Sequence, residues 1–174
     1  MQVPIRGFFY VRSREVPYCP HCGREMCVVG SRKRKVARAS GSRIVLVIRR
    51  LRCDSCRRIH HELPDFIVPY KHYSAEVIEN ILKEAKKTAD FYSPCENSTV
   101  RRTIQWFSLL LSYLEAAVQS LIEMNRHNSI LVNELSSLLP LKPKSLPAGW
   151  LPRLVRALVN SGRWLQTRLA VTVR

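Results

Sequence analysis

The chain has 174 residues, 46% of them hydrophobic, and 29 Lys+Arg against 13 Asp+Glu give a formal charge of +16. That hydrophobic fraction excludes wholesale disorder, and the length holds one ordinary domain or two small ones. A positive excess of this size points to a polyanionic partner, most often nucleic acid.

The excess is uneven. Residues 1–72 carry 16 basic and 5 acidic side chains, a balance of +11, whereas residues 73–174 carry 13 and 8, a balance of +5. The N-terminus has arginines at 6, 12 and 14 and no long apolar core, so it does not read as a signal peptide. The most apolar window, 106–124, contains Glu115, Gln119 and Glu123 and is not expected to span a membrane. A cytoplasmic protein with reduced thiols is expected.

Phe8-Phe9-Tyr10-Val11 reads as a short strand leading into Cys19-Pro20-His21-Cys22. A second strand is expected from Met26 to Val29, stopped by Gly30-Ser31. The basic run Arg32, Lys33, Arg34, Lys35 and Arg38 follows, then a turn at Ser40-Gly41-Ser42. Ile44-Val45-Leu46-Val47-Ile48 is the clearest strand, β-branched at most positions, and it continues through Arg49, Arg50, Leu51 and Arg52 into Cys53-Asp54-Ser55-Cys56.

Two Cys-x-x-Cys turns suit a tetrahedral zinc ion, which takes thiolates at about 2.3 Å. Cys19, Cys22, Cys53 and Cys56 are therefore the expected Zn2+ ligands. A redox dithiol would want one such motif opening a helix in a βαβ setting, whereas here each pair adjoins strand-like sequence. Four sulfurs leave no position for a catalytic water, so the metal is expected to serve folding. Cys27 reads as a small apolar strand residue, and His60 and His61 as structural or surface residues. Arg32, Lys33, Arg34, Lys35, Arg38, Arg49, Arg50 and Arg52 fall on neighbouring strands, and phosphate contact is the expected role. The competing reading is a solvated face whose charge protects a sheet edge.

Leu63-Pro64-Asp65-Phe66-Ile67-Val68-Pro69-Tyr70 is an extended connector. Ser74 reads as the N-cap of a helix running to about Thr88, with Val77, Ile78, Ile81, Leu82 and Ala85 on its apolar face. After a break around Pro94, Ser98 reads as the next cap. Val100, Ile104, Phe107 and Leu111 then face inward, and Thr99, Arg101, Arg102 and Gln105 outward. A short helix, a break and a capped helix with such residues outward suggests a helix-turn-helix whose outward side chains reach base edges. The connection is longer than the usual three- or four-residue turn, and an amphipathic helix with a merely polar outer face is the plainer reading. The helix continues over 109–123, breaks at Asn125-Arg126-His127-Asn128 and resumes over 130–139. Pro140, Pro143, Pro147 and Gly149 form a linker. Pro152 opens a last helix with the stripe Leu154, Val155, Leu158 and Val159, surrounded by Arg153, Arg156, Arg163 and Arg168, with Gly162 kinking or ending it.

The expected fold class is α+β: a small antiparallel zinc ribbon (1–72), a helical region with a helix-turn-helix (73–139), then the proline-rich linker and basic C-terminal helix (140–174). The order Tyr18-Cys-Pro-His-Cys-Gly23, Arg49-Arg-Leu-Arg-Cys-Asp-Ser-Cys56, Glu62-Leu-Pro64 and a helix resembles the N-terminal DNA-binding region of bacterial insertion-sequence transposases. Pro69-Tyr-Lys-His-Tyr-Ser-Ala-Glu76 and Cys95-Glu-Asn-Ser-Thr-Val-Arg-Arg102 with Trp106-Phe107 resemble an uncharacterised bacterial family, mostly from spore-forming Gram-positives and associated with mobile elements. The resemblance implies DNA binding at element ends; double-stranded DNA is the expected partner, and the long Leu-rich helices would recruit a transposase or a second copy of the chain. It does not bring catalysis with it: a transposase nuclease core needs three spaced carboxylates around two metals, and the only aspartates are Asp54, Asp65 and Asp90.

The expected protein is thus a non-enzymatic, zinc-dependent DNA-binding factor, accessory or regulatory to a mobile element, without a small-molecule substrate. Two alternatives stand beside it. One is an RNA- or ribosome-binding zinc ribbon, disfavoured by the lack of aromatics interleaved with the basic residues. The other is an interaction module that recruits a transposase.

Overall fold

A computed structural model describes residues 8–13, 15–84, 95–165 and 170–173. The architecture is α+β. The strands are β1 (Phe8–Tyr10), β2 (Met26–Ala37), β3 (Arg43–Cys53), β4 (Ile59–Pro64) and β5 (Ala170–Val173). The helices are α1 (Ala75–Glu84), α2 (Asn97–Met124), α3 (Ser129–Ser136) and α4 (Trp150–Asn160).

β3 is the axis of the sheet. β2 pairs antiparallel along its whole length, from Met26 opposite Cys53 to Ala37 opposite Arg43. The other edge of β3 is shared: β1 pairs parallel with Val45–Val47, and β4 antiparallel with Arg50–Arg52. β5 then adds in parallel to β4. The sheet is therefore mixed rather than purely antiparallel. Its two parallel pairings join segments remote in sequence, which local strand patterns do not reveal.

Gly30-Ser31 does not stop β2. Val28 pairs with Leu51 and Gly30 with Arg50, leaving Val29 as the extra residue of a β-bulge, and the ladder continues to Ala37. The turn at Ser40-Gly41-Ser42 is formed as expected, closed by Arg38 N–H to the Ser42 carbonyl at 2.9 Å.

Alternation along β3 sends Leu46 and Ile48 to one side. There they join Val36, Leu63, Ile78, Phe107, Leu114, Val118, Trp150, Leu154 and Leu158 in a single buried cluster. One core thus draws on all three segments distinguished in the sequence. Leu141 and Leu146 are also buried in it, so the proline-rich stretch is anchored to the core at these two positions. We call this side of the sheet the helical face and the other the open face; on the latter Leu51, Cys53, His60, Glu62 and Val47 are buried, while Lys33 and Lys35 are exposed.

α1 begins directly after Ser74, whose carbonyl accepts from Ile78 N–H. Its expected C-terminal turn to Thr88, including Ala85, lies outside the described residues, as does the break at Pro94. α2 is one continuous helix of 28 residues. Its N-cap is Glu96 rather than Ser98, because the helical hydrogen bonds already start with Thr99 and Val100 N–H to the Glu96 carbonyl. By length and composition α2 passes for a membrane span. Its Phe107, Leu114, Ala117, Val118 and Leu121 are buried in the protein's own core, an arrangement compatible with a soluble protein. α3 starts at Asn128, whose side chain accepts from Leu131 N–H at 3.1 Å. α4 buries the expected stripe and ends at Asn160, and Gly162 ends it rather than kinking it: the Gly162 and Arg163 amides fold back on the Val159 and Leu158 carbonyls. Gly162 has φ +69°, and a Cβ there would lie 2.8 Å from the Pro20 carbonyl oxygen. Arg6, Arg14 and Arg168 lie outside the described residues.

Candidate metal centre and basic surfaces

β2 and β3 each meet a cysteine turn at the same end of their ladder, since Met26 is the partner of Cys53. This brings Cys19, Cys22, Cys53 and Cys56 together, with all four sulfurs within 4.8 Å of one another. Cys19 and Cys56 Sγ are 3.7 Å apart, and Cys22 and Cys53 Sγ 3.4 Å apart. A regular tetrahedron with Zn–S of about 2.3 Å has edges of about 3.8 Å. The sulfurs are thus already at ligand spacing, and the set can hold a metal.

The turns are built alike. Backbone amides of His21 and Cys22 point at Cys19 Sγ, and those of Ser55 and Cys56 at Cys53 Sγ. Such donors damp thiolate charge. At Cys53 the Cys56 amide outweighs burial, and the thiol is lowered to about 7. At Cys19 burial dominates and pushes the thiol up to about 12. A divalent cation would favour the thiolate at both. The residue after each second cysteine is left-handed: Gly23 at φ +71° and Arg57 at φ +59°.

Behind the sulfurs, Cys19, Met26, Leu51 and Cys53 form a small buried cluster of their own. His60, fully buried on β4, places Nε2 3.4 Å from Cys19 Sγ. In the Nε2–H tautomer it donates to that sulfur, as outer ligand-shell groups commonly do. The sequence marked His60 only as structural or surface. Its spacing after Cys56 is the signal, and it becomes informative once β4 is known to fold back on β3. Cys27 is a strand residue but an exposed one, with Sγ 3.7 Å from Asp54 Oδ2.

The basic residues do not form one patch. The period of two divides the 32–35 run between faces. Arg32 and Arg34 lie opposite Ile48 and Leu46 and share the helical face, whereas Lys33 and Lys35 lie opposite Val47 and Val45 on the open face. Arg34 turns inward and donates to the Val68 and Lys71 carbonyls at 3.2 and 2.7 Å. Burial, and then Arg32, lowers its pKa. Arg49 makes a bidentate pair with the fully buried carboxylate of Glu62, both contacts at 2.5 Å. These two arginines are committed to the fold. Arg38 is exposed near the hairpin turn.

Arg50 and Arg52 remain on the helical face toward the metal end, and Arg32, opposite Ile48, lies at the middle of the ladder. Arg50 is the register partner of His61, and Arg52 lies within 3.4 Å of Asp54. Burial lowers the pKa of His61, and the charges of Arg32, Arg50 and Arg34 lower it further.

The outward residues of α2 stand at the far end of the ladder. Tyr73 bridges to Ala37, and its hydroxyl interacts with Cys95 and Thr99 at the start of α2. Ten residues of β3 separate the two ends, roughly 30 Å. Arg101, Arg102 and Gln105 are exposed, whereas Thr99 is half-buried and its carbonyl accepts from Thr103 Oγ1 at 2.8 Å. The connection between α1 and α2, over 85–94, lies outside the described residues.

A family model described as a domain of unknown function (DUF6431) matches residues 19–103. The matched stretch starts on the first cysteine of the metal centre and ends in the second turn of α2. It spans all four cysteines, β2–β4 and α1. No curated protein and no solved structure matches the chain.

Proposed function

We propose that this is a zinc-dependent DNA-binding protein in which the metal is structural. The carrying observation is that Arg32, Arg50 and Arg52 share one face of a β2–β3 ladder that carries no acidic side chain, in a chain whose four-cysteine cluster can hold a metal. Cationic side chains gathered on one face repel one another, and a polyanion relieves that repulsion. Zinc fits the donor set because four thiolates complete its tetrahedral shell and leave no position for a reacting water. Bound there, it ties the turn before β2 to the turn after β3 and so sets the strand register on which Arg32, Arg50 and Arg52 depend.

In this reading Arg32, Arg50 and Arg52 contact phosphate from the helical face of the sheet, and Arg101, Arg102 and Gln105 meet the duplex from α2. The likeness of the cysteine motifs to transposase zinc ribbons supports element ends as the target, and a transposase or a second copy as protein partner.

The test is fluorescence anisotropy of a labelled duplex titrated with zinc-loaded protein across a salt series. Affinity should fall steeply with salt, and Arg50→Gln with Arg52→Gln should flatten the slope by roughly 0.9 per contact removed. Binding indifferent to ionic strength sinks the phosphate role.

A further inference from the structure

β1 places aromatic rings on the open face of the sheet. Phe8 is the register partner of Val45 and Tyr10 of Val47, while across β3 the partners of the same valines are Lys35 and Lys33. Two rows therefore cross the open face: Phe8, Val45, Lys35, and Tyr10, Val47, Lys33. Neither valine belongs to the cluster formed with the helices. Phe8 is 54% exposed and Tyr10 71%. Lys33 Nζ stands 4.4 Å from the centroid of the Phe8 ring. Nowhere in β1, β2 or β3 is there an acidic side chain.

Solvent-facing rings beside lysines, with no compensating acid on their strands, suit a ligand that offers flat apolar surfaces and regular negative charge. We infer that this face binds single-stranded DNA, with successive bases stacked on Phe8 and Tyr10 and the phosphates drawn to Lys33 and Lys35. The inference rests on the DNA reading above but uses the opposite side of the sheet. Stacking explains why the rings are exposed, since every base has a π face. Residues two apart on a strand stand about 6.6 Å apart, room for two separated bases. From β1 to β2 is two strand spacings, about 9.6 Å, a distance that a lysine stem and a nucleotide bridge together. A closed duplex has no free base to offer these rings, so the face discriminates opened from paired DNA.

The experiment uses the full-length zinc-loaded chain and three labelled probes: oligo(dT), a duplex of mixed sequence, and oligo(U). Phe8→Leu and Tyr10→Leu keep apolar bulk but remove the π face. Each should weaken oligo(dT) binding by about tenfold and leave duplex affinity and zinc content unchanged. Tyr10→Trp should restore it. Lys33→Gln with Lys35→Gln should lower the salt slope for oligo(dT) by roughly 0.7 per lysine. Unchanged oligo(dT) affinity in the leucine variants overturns the inference, as does tighter binding of oligo(U) than of oligo(dT). Loss of duplex binding in Arg50→Gln with oligo(dT) binding retained shows the two faces acting separately. Absence of duplex binding in the wild type fails the DNA reading and leaves the effect of the leucine variants on oligo(dT) to judge the stacking face.

Discussion

Glu79 of α1 accepts a hydrogen bond from the backbone N–H of Leu151 at 2.7 Å, with its second oxygen 3.0 Å from the N–H of Gly149. The carboxylate is buried, and it sits on the first turn of a helix 70 residues away in sequence. α4 has no cap of its own, because Gly149 carries no side chain. A side chain from another helix thus satisfies amides that would otherwise face the core unpaired, where the positive end of the helix dipole favours an anion.

Glu79→Ala should therefore destabilise the protein by about 2–4 kcal/mol, since it leaves two amides unpaired and removes a charge-assisted bond. Glu79→Gln keeps one acceptor and should cost about half as much. Urea unfolding of the metal-loaded protein checks both. Equal stability of Glu79→Ala and wild type contradicts the capping role.

The cysteine centre predicts one metal per chain. Cobalt(II) substitution should show the visible absorption of tetrahedral thiolate coordination. Cys53→Ser or strong chelator should remove the metal and expose the cluster of Met26, Leu51 and Cys53, at a cost of several kcal/mol. The helical cluster has its own core, so far-UV helix signal should outlast the loss of metal. A protein that purifies without stoichiometric metal and keeps its stability in chelator contradicts this centre.

Gly23 and Arg57 occupy equivalent positions after their turns, both left-handed, but only one is glycine. Substitution there should act with opposite signs. Arg57→Gly relieves a conformation that costs a non-glycine residue about 1 kcal/mol and should stabilise by up to that amount. Gly23→Ala introduces the same strain without a clash, as no atom lies within 4 Å of the added Cβ. It should destabilise by about 1 kcal/mol. Thermal melts of the pair settle the matter.

His61 makes stability depend on pH. Burial and the facing arginines hold its pKa below 6.5 in the folded state. Between that lowered value and 6.5 the unfolded chain binds the extra proton, so stability is full above pH 6.5 and falls as pH drops through this window. His61→Gln should flatten the profile. Phosphate bound among Arg32, Arg50 and Arg52 adds negative charge beside the ring, so duplex binding should take up protons and tighten from pH 7 to 6. An unchanged affinity over that range contradicts placement of phosphate at His61.

The cysteine cluster was legible because each pair is a local motif, and β3 because its β-branched run needs no partner to be recognised. The basic run was legible in composition but not in direction. Whether Arg34 faces water or the Val68 carbonyl depends on its register against Leu46, which one residue of offset or a bulge would change. Gly30 carries a turn signal that the β2–β3 ladder overrides by bulging. The aromatics of β1 looked unrelated to the lysines because a parallel pairing across β3, not sequence proximity, puts them side by side. Glu79 read as one more polar residue of an amphipathic helix. Its role became visible only with α4 packed against α1.

Gly162 stands directly behind Pro20, with room between them for hydrogen and nothing larger. The loop holding two of the four sulfurs is therefore braced from the rear by the chain leaving α4. Any bulkier residue at that position would have to push the loop forward, and the cysteines would move with it. The rate at which a chelator strips the ion thus becomes a gauge of how firmly the far end of the polypeptide is seated.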